Sequence, residues 1–355
     1  MIRHRIPAAL AIAAVAAWAM SMPAQATGIS QTLPDGYTMY ALPCDDLANA
    51  PAALYRVDPA TASLERVGPD YEGMWDYQCW SSGIYVPEDG LIWAVDTNAY
   101  TNDNGGTMLL RSIDPETGVV TPGPRIYDDA DNSYFPFYTI FKGPDGLIYA
   151  TGGRGSSSGA NSIYRLDLST GAATFISNTR LNGNLVNNWY LVGTNPVDGL
   201  VYGSPMSGEW YTIDIATGAL TAVTEAGRSP LQAVVFDETG AAWTVSYSYP
   251  AGSFLNSGTF PAYADTRTTT ADAFNADGQA IGVAGLVLVP DPEPTPEPTP
   301  SDSSSPSPST GSAALDGSSS LAATGADSNL SGLLAFGAIA LGGLSIWLRR
   351  RGETR

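Results

Sequence analysis

Asp145-Gly146-Leu147-Ile148-Tyr149 and, shortly after, Tyr164-Arg165-Leu166-Asp167-Leu168-Ser169-Thr170-Gly171 each spell a turn beside a strand. Asp and Thr side chains bond nearby backbone amides in such turns, and Gly accepts the positive φ that closes a hairpin. Both phrases return along the chain. The first recurs as Asp35-Gly36-Tyr37-Thr38-Met39-Tyr40, Asp89-Gly90-Leu91-Ile92-Trp93 and Asp198-Gly199-Leu200-Val201-Tyr202, with a degenerate copy from Asp237 to Trp243. The second recurs as Tyr55-Arg56-Val57-Asp58-Pro59-Ala60-Thr61, Ile113-Asp114-Pro115-Glu116-Thr117-Gly118 and Tyr211-Thr212-Ile213-Asp214-Ile215-Ala216-Thr217-Gly218; Tyr263-Ala264-Asp265-Thr266 reads as a weak fifth copy.

Asp58, Asp114, Asp167 and Asp214 are 56, 53 and 47 residues apart, room for four short strands per repeat. Four-stranded repeats arranged radially make a β-propeller, which protects its sheet edges by closing into a ring. The expected fold is therefore all-β, a five-bladed propeller over residues 27–289. The first copy, at Asp35, has no strand before it. The others follow Trp75 to Val86, Phe135 to Phe141, Trp189 to Gly193 and Leu231 to Phe236. The run Ala280 to Val289 supplies the missing inner strand from the C-terminal side and finishes blade one. These phrases resemble those of the broad group of bacterial extracellular propellers, a resemblance that implies a fold and no particular activity.

The two ends of the chain carry addresses. Residues 1–26 read as a secretory signal peptide: Arg3 and Arg5, an apolar run from Ile6 to Met20, and a small-x-small site at Ala24-Gln25-Ala26. Residues 290–320 are rich in Pro, Ser, Thr and Gly, a composition with too little to bury that stays unfolded and extended as a spacer, and that is also typical of O-glycosylated stalks. Residues 330–348 are apolar and uncharged, long enough for a transmembrane helix, and a basic tail, 349–355, follows. Just upstream stands Leu321-Ala322-Ala323-Thr324-Gly325. This arrangement resembles a sortase sorting signal, and the Leu-Ala-x-Thr-Gly form resembles the variant read by class E sortases of actinobacteria. The resemblance implies cleavage between Thr324 and Gly325, transfer of Thr324 to a peptidoglycan precursor, and loss of the span. Contact with the membrane would precede that transfer only, and the protein would end outside the cell, covalently fixed to the wall. A permanent transmembrane tail is the alternative.

Composition narrows the chemistry. The only histidine, His4, lies in the signal peptide, so the mature chain has no imidazole for a Ser-His-Asp or Cys-His arrangement or a His-ligated zinc. Lys142 is the sole lysine. The net charge of −19 repels nucleic acid and other polyanions. In an oxidising exterior Cys44 and Cys79, the only cysteines, are candidates for a disulfide, with two buried thiols the alternative.

Aromatics gather before or within the inner strands: Trp75, Tyr77 and Trp80; Tyr134 and Phe135, with Phe137 and Tyr138; Trp189 and Tyr190. Amides and acids accompany them at Asp76, Gln78, Asn132, Asn187 and Asn188. Rings stacking on sugar faces with such polar neighbours build glycan sites; the same rings can equally wedge blades together. Asp96 and Asn98, and Asp128, Asp129 and Asp131, are oxygen-rich loops that make calcium a possible ligand, although neither loop has full EF-hand spacing; no other cofactor is expected. The reading is a surface-displayed binding or adhesion module for a glycan or a protein ligand. A wall-bound glycoside hydrolase, working through a carboxylate pair drawn from Asp76, Asp131, Glu209 and Glu225, is the first alternative. A docking scaffold with no small-ligand site is the second.

Overall fold

The computed structural model describes residues 32–43, 53–69, 80–96, 108–134, 137–153, 162–187, 189–205, 208–226, 231–248, 252–270, 272–276 and 278–292. Residues 1–26, expected to be a signal peptide, Cys44 and Cys79, residues 293–320, expected to be a spacer, the pentapeptide Leu321 to Gly325 expected to be a sorting signal, and the apolar segment 330–348 lie outside them. Among the described residues no helix is long and apolar enough to cross a membrane.

Five sheets form the propeller blades, each with four antiparallel strands, and the sheet of blade 3 gains a short fifth strand, Tyr127–Asp128, paired parallel at its outer edge. Blade 2 runs from its inner strand outward through Trp80–Val86, Leu91–Asp96, Leu109–Ile113 and Val120–Arg125. Blade 3 uses Phe137–Lys142, Ile148–Gly152, Ser162–Leu166 and Ala172–Asn178. Blade 4 uses Trp189–Thr194, Val201–Pro205, Tyr211–Ile213 and Leu220–Ala222. Blade 5 uses Leu231–Phe236, Ala241–Ser248, Gly252–Thr259 and Thr268–Thr269. Blade 1 is assembled from both ends: Val283–Pro290 is its inner strand, pairing with Tyr37–Pro43, beyond which lie Leu54–Val57 and Leu64–Val67. The closing strand read from the sequence is thus present. The five inner strands pack in an unbroken cycle, each against the next blade's.

One expectation is overturned. Tyr263–Thr266 is a single helical turn, and the third strand of blade 5 is instead Gly252–Thr259. That strand holds a ladder of eight pairs with Ala241–Ser248, so it needs no Asp-capped turn to set its register. Tyr263 serves packing: it is fully buried, with its ring against Phe260 and its hydroxyl bonded to Thr244 Oγ1 at 2.6 Å.

Each repeat phrase has a specific mechanical role. In the Asp-Gly turns one carboxylate oxygen accepts a backbone N–H two residues on, and the other accepts a proton from the aromatic of the following strand. Trp93 Nε1 donates to Asp89 at 2.8 Å, Tyr149 Oη to Asp145 at 2.7 Å, Tyr202 Oη to Asp198 at 2.8 Å and Trp243 Nε1 to Asp237 at 2.9 Å. A buried Tyr or Trp needs a partner for its polar end, and the turn Asp supplies it. In the second phrase Asp58, Asp114, Asp167 and Asp214 each accept the N–H of residue i+2.

The glycines of the second phrase also join blades. A Cβ on Gly118, Gly171 or Gly218 would lie 2.0 Å from the carbonyl oxygen of Val67, Arg125 or Asn178, in the outer strand of the preceding blade. Tyr127 N–H donates to Gly171 O at 3.0 Å and Arg180 N–H to Gly218 O at 2.8 Å, so the chain leaving one blade is pinned to the turn of the next. The joint of blades 5 and 1 repeats the device with Ala62, held at φ 58°, whose carbonyl accepts the N–H of Asn275 at 3.4 Å.

The core is correspondingly distributed. Its five apolar clusters sit one at each joint between neighbouring blades. Fully buried Trp243 belongs to the joint of blades 5 and 1, Trp189 to that of 3 and 4, and Trp210 to that of 4 and 5.

Two predictions follow from this architecture. Gly90→Ala and Gly199→Ala meet only the positive-φ penalty, since nothing lies within 4 Å, and should cost about 1–2 kcal/mol. Gly171→Ala and Gly218→Ala add a backbone collision and should cost clearly more in urea unfolding. Burial, with Asp145 adding at Tyr149, pushes the phenols of Tyr149 and Tyr263 up to about 12, and burial and Asp198 raise Tyr202. The folded state favours the protonated phenols, so their contribution to stability is complete below the ordinary tyrosine value of about 10. It declines as pH climbs from there towards 12. Stability measured against pH should fall over that window, and less steeply in Tyr149→Phe.

Candidate functional site

Strand direction gives the ring two unlike faces. The inner strands of blades 2, 3 and 4 run into Asp-Gly turns and that of blade 5 into the degenerate turn Asp237 to Gly240, while the closing strand of blade 1 ends beside the Asp35-Gly36 turn, so these ends share one face, the hairpin face. The connections from second to third strands, and from one blade to the next, gather on the other, the loop face.

The aromatic and acidic candidates that the structure describes stand in different blades and are not drawn into one site. Trp75, Asp76, Tyr77, Phe135 and Asn98 lie outside the described residues, and Trp80 and Tyr190 are placed as strand backbone only. Tyr134 is 47% exposed, an open ring. Trp189 is not: it is completely buried, its Nε1–H donating to Thr179 Oγ1 at 2.8 Å and Val186 O at 3.1 Å, with its ring edge-on to Tyr211. It wedges blades 3 and 4, and no ligand could stack on it without unpacking that joint.

The acids are also engaged. Asp96 is buried and takes two bonds from Arg111, at 3.1 and 3.0 Å through Nε and Nη2, a buried pair in which each charge answers the other. Asp128, completely buried, accepts Ala130 N–H at 2.9 Å, Asp129 accepts the Thr174 hydroxyl, and Asp131 accepts Ser133 N–H at 3.0 Å. These bonds organise the turn between blades 2 and 3. Among the described residues no group of three His, Cys, Asp or Glu side chains gathers that could hold a metal ion. Glu209 is half-buried ahead of the third strand of blade 4, and Glu225 lies in the 3₁₀ turn Thr224–Ala226 after its fourth. Of the hydrolase candidates, Asp76 lies outside the described residues, and Asp131, Glu209 and Glu225 stand on separate stretches, after blade 2, within blade 4 and after blade 4.

The ring encloses an axial cavity of about 320 Å³, walled by the inner strands of all five blades. Ser82 of blade 2 accepts the Ile140 N–H of blade 3 at 2.7 Å, and Thr194 of blade 4 donates to the Lys142 carbonyl at 2.6 Å, so side chains satisfy inner-edge backbone groups across two joints. At the hairpin end the cavity is bordered by Tyr37, Lys142, Asp237 and Glu238. Sequence reasoning passed over this mouth because it sought aromatic clusters. The signal was nonetheless there: Lys142 is the last residue of one inner strand and Glu238 stands two residues past the end of another.

No curated protein matches the chain. Among solved structures it is similar to TolB from Acinetobacter baumannii (13% identity over 72% of this chain and 67% of that one, TM-score 0.39). It is similar also to YCF48 bound to D1 peptide (12% identity, 78% and 95%, TM-score 0.35). A structural genomics protein of unknown function from Bacteroides thetaiotaomicron matches at 11% identity over 66% of this chain and 64% of that one, with a TM-score of 0.39. A family model covers residues 70–261, from just before blade 2 into blade 5. The chain belongs to that family, described as a repeat of unknown function (DUF6923).

Proposed function

We propose that this protein is a wall-displayed, non-catalytic binding module whose ring presents its loop face to an extracellular glycan. The observation that carries this reading is the place where the chain leaves the ring. The closing strand Val283–Pro290 ends on the hairpin face, where Asp291 N–H donates to Gly36 O at 2.7 Å and Thr38 Oγ1 donates to the Asp291 carboxylate at 2.6 Å. The sequence continues from there towards the sorting pentapeptide Leu321 to Gly325, and the last described residues leave the propeller at the end opposite the loop face. A sortase acting at Thr324 would join the chain to the wall at the tether end, leaving the longer connections free to meet a ligand.

Binding is favoured over hydrolysis by what the described acids are doing. Asp58, Asp89, Asp114, Asp145, Asp167, Asp198, Asp214 and Asp237 hold turns, and Asp96 is paired to Arg111. A general acid and a nucleophile at glycosidase spacing need carboxylates left free for substrate. The open ring of Tyr134, beside Asn132 and Ser133, offers an apolar face with polar neighbours instead.

A glycan array probed with the purified protein should show selective binding, and Tyr134→Ala should weaken it about tenfold, the loss of one stacking contact of ~1.5 kcal/mol, without moving Tm. A blank array, with and without calcium, overturns the glycan reading.

A further inference from the structure

We propose that the opposite, hairpin-face mouth of the axial cavity binds a small zwitterion of the α-amino acid type, its carboxylate on Lys142 and its ammonium on Glu238. This goes beyond the glycan reading and uses the other end of the ring.

Three observations carry it. The first is size: about 320 Å³ is near the lower end of the ~300–1,000 Å³ of small-molecule sites, enough for a molecule of a few heavy atoms. The second is the wall, where the partly buried Ile84, Val234 and Leu288 of three inner strands border the cavity and offer an apolar side chain its surroundings. The third is the charge at the rim. Lys142 is the only lysine in a chain of net charge −19, yet among the described residues its ammonium has no carboxylate partner and takes no part in the pairs Arg56–Glu65 and Arg111–Asp96. On the rim with it, from blade 5, Glu238 accepts through Oε2 a 3.3 Å bond from Tyr37 and forms no ion pair with Lys142.

Adjacent Asp237 makes the contrast plain. Its two oxygens are spent on Thr239, Ala241 and Trp243, whereas Glu238 keeps acceptor capacity for a ligand. An anion placed between Lys142 and Glu238 would be attracted by one and repelled by the other, and a cation likewise. Only a molecule carrying both signs a few ångströms apart answers both, and it does so without bringing net charge into an acidic surface.

The test is titration calorimetry of the purified protein with three probes: leucine, N-acetyl-leucine, which lacks the ammonium, and leucinamide, which lacks the carboxylate. Leucine should bind, and each single-charge analogue should bind about tenfold more weakly or worse. Lys142→Met and Glu238→Gln should each reduce leucine affinity by a similar factor with Tm retained, since both side chains stand at the rim outside the core. No heat with leucine, equal binding of N-acetyl-leucine and leucine, or unchanged affinity in both variants would overturn the proposal. Tyr134→Ala, at the other face, should leave leucine binding unchanged, so this site and the glycan site fail separately.

Discussion

Everything in this structure depends on one pairing: Val283–Pro290 against Tyr37–Pro43, seven registered positions that bring the last strand of the ring beside the first part of the chain to fold. A propeller blade on its own exposes an apolar face on each side. Closing the circle gives every blade two neighbours, and the closing strand makes blade 1 a full partner to blades 2 and 5. Leu286 lies in the cluster shared with blade 5, and Val287 and Val289 in the cluster shared with blade 2. Without that strand both joints would open. The long-range pairing is costly in chain entropy, since more than two hundred residues separate its halves, and it is repaid only when all five joints are packed.

The repeat phrases show how a short motif can serve two scales at once. Within a blade the Asp of the Asp-Gly turn binds both the turn amide and the aromatic of the next strand, which fixes where that strand starts. Between blades the Gly of the Thr-Gly turn lets the preceding blade's carbonyl approach to a distance at which any side chain would collide. The same residues thereby set strand register and blade spacing. This explains why the motif persists while the remaining positions vary from blade to blade.

How far the fold was legible follows from that dual role. Turn residues are local, so Asp89-Gly90, Asp145-Gly146, Asp167 to Gly171 and Asp214 to Gly218 could be recognised without knowing what they pack on, and the orphan first copy at Asp35 exposed the closure. Blade 5 was misread at Tyr263 because its third strand gets its register from a long ladder, leaving no turn signature to find. The candidate site was harder. An aromatic that stacks on ligand and one that wedges two blades look alike in sequence, and only burial separates Tyr134 from Trp189. Asp96 reads as a free acid until Arg111, fifteen positions on, is seen across the sheet. Lys142 and Glu238 lie far apart in sequence and share a mouth only because the ring closes.

Closure is also what would connect fold to function. The strand that completes blade 1 is the one from which the chain leaves the ring, so under the proposed wall anchoring the completed fold and the point of tethering would be the same element, and a ligand pull on the loop face would be carried through it. The most direct test compares a chain ended at Ile281 with one ended at Pro292, which share the other strands of all five blades and differ in the closing strand Val283–Pro290. The account predicts loss of cooperative thermal unfolding in the shorter chain and restoration when the missing strand is supplied as a peptide. A shorter chain that unfolds cooperatively at the Tm of the longer one would contradict it.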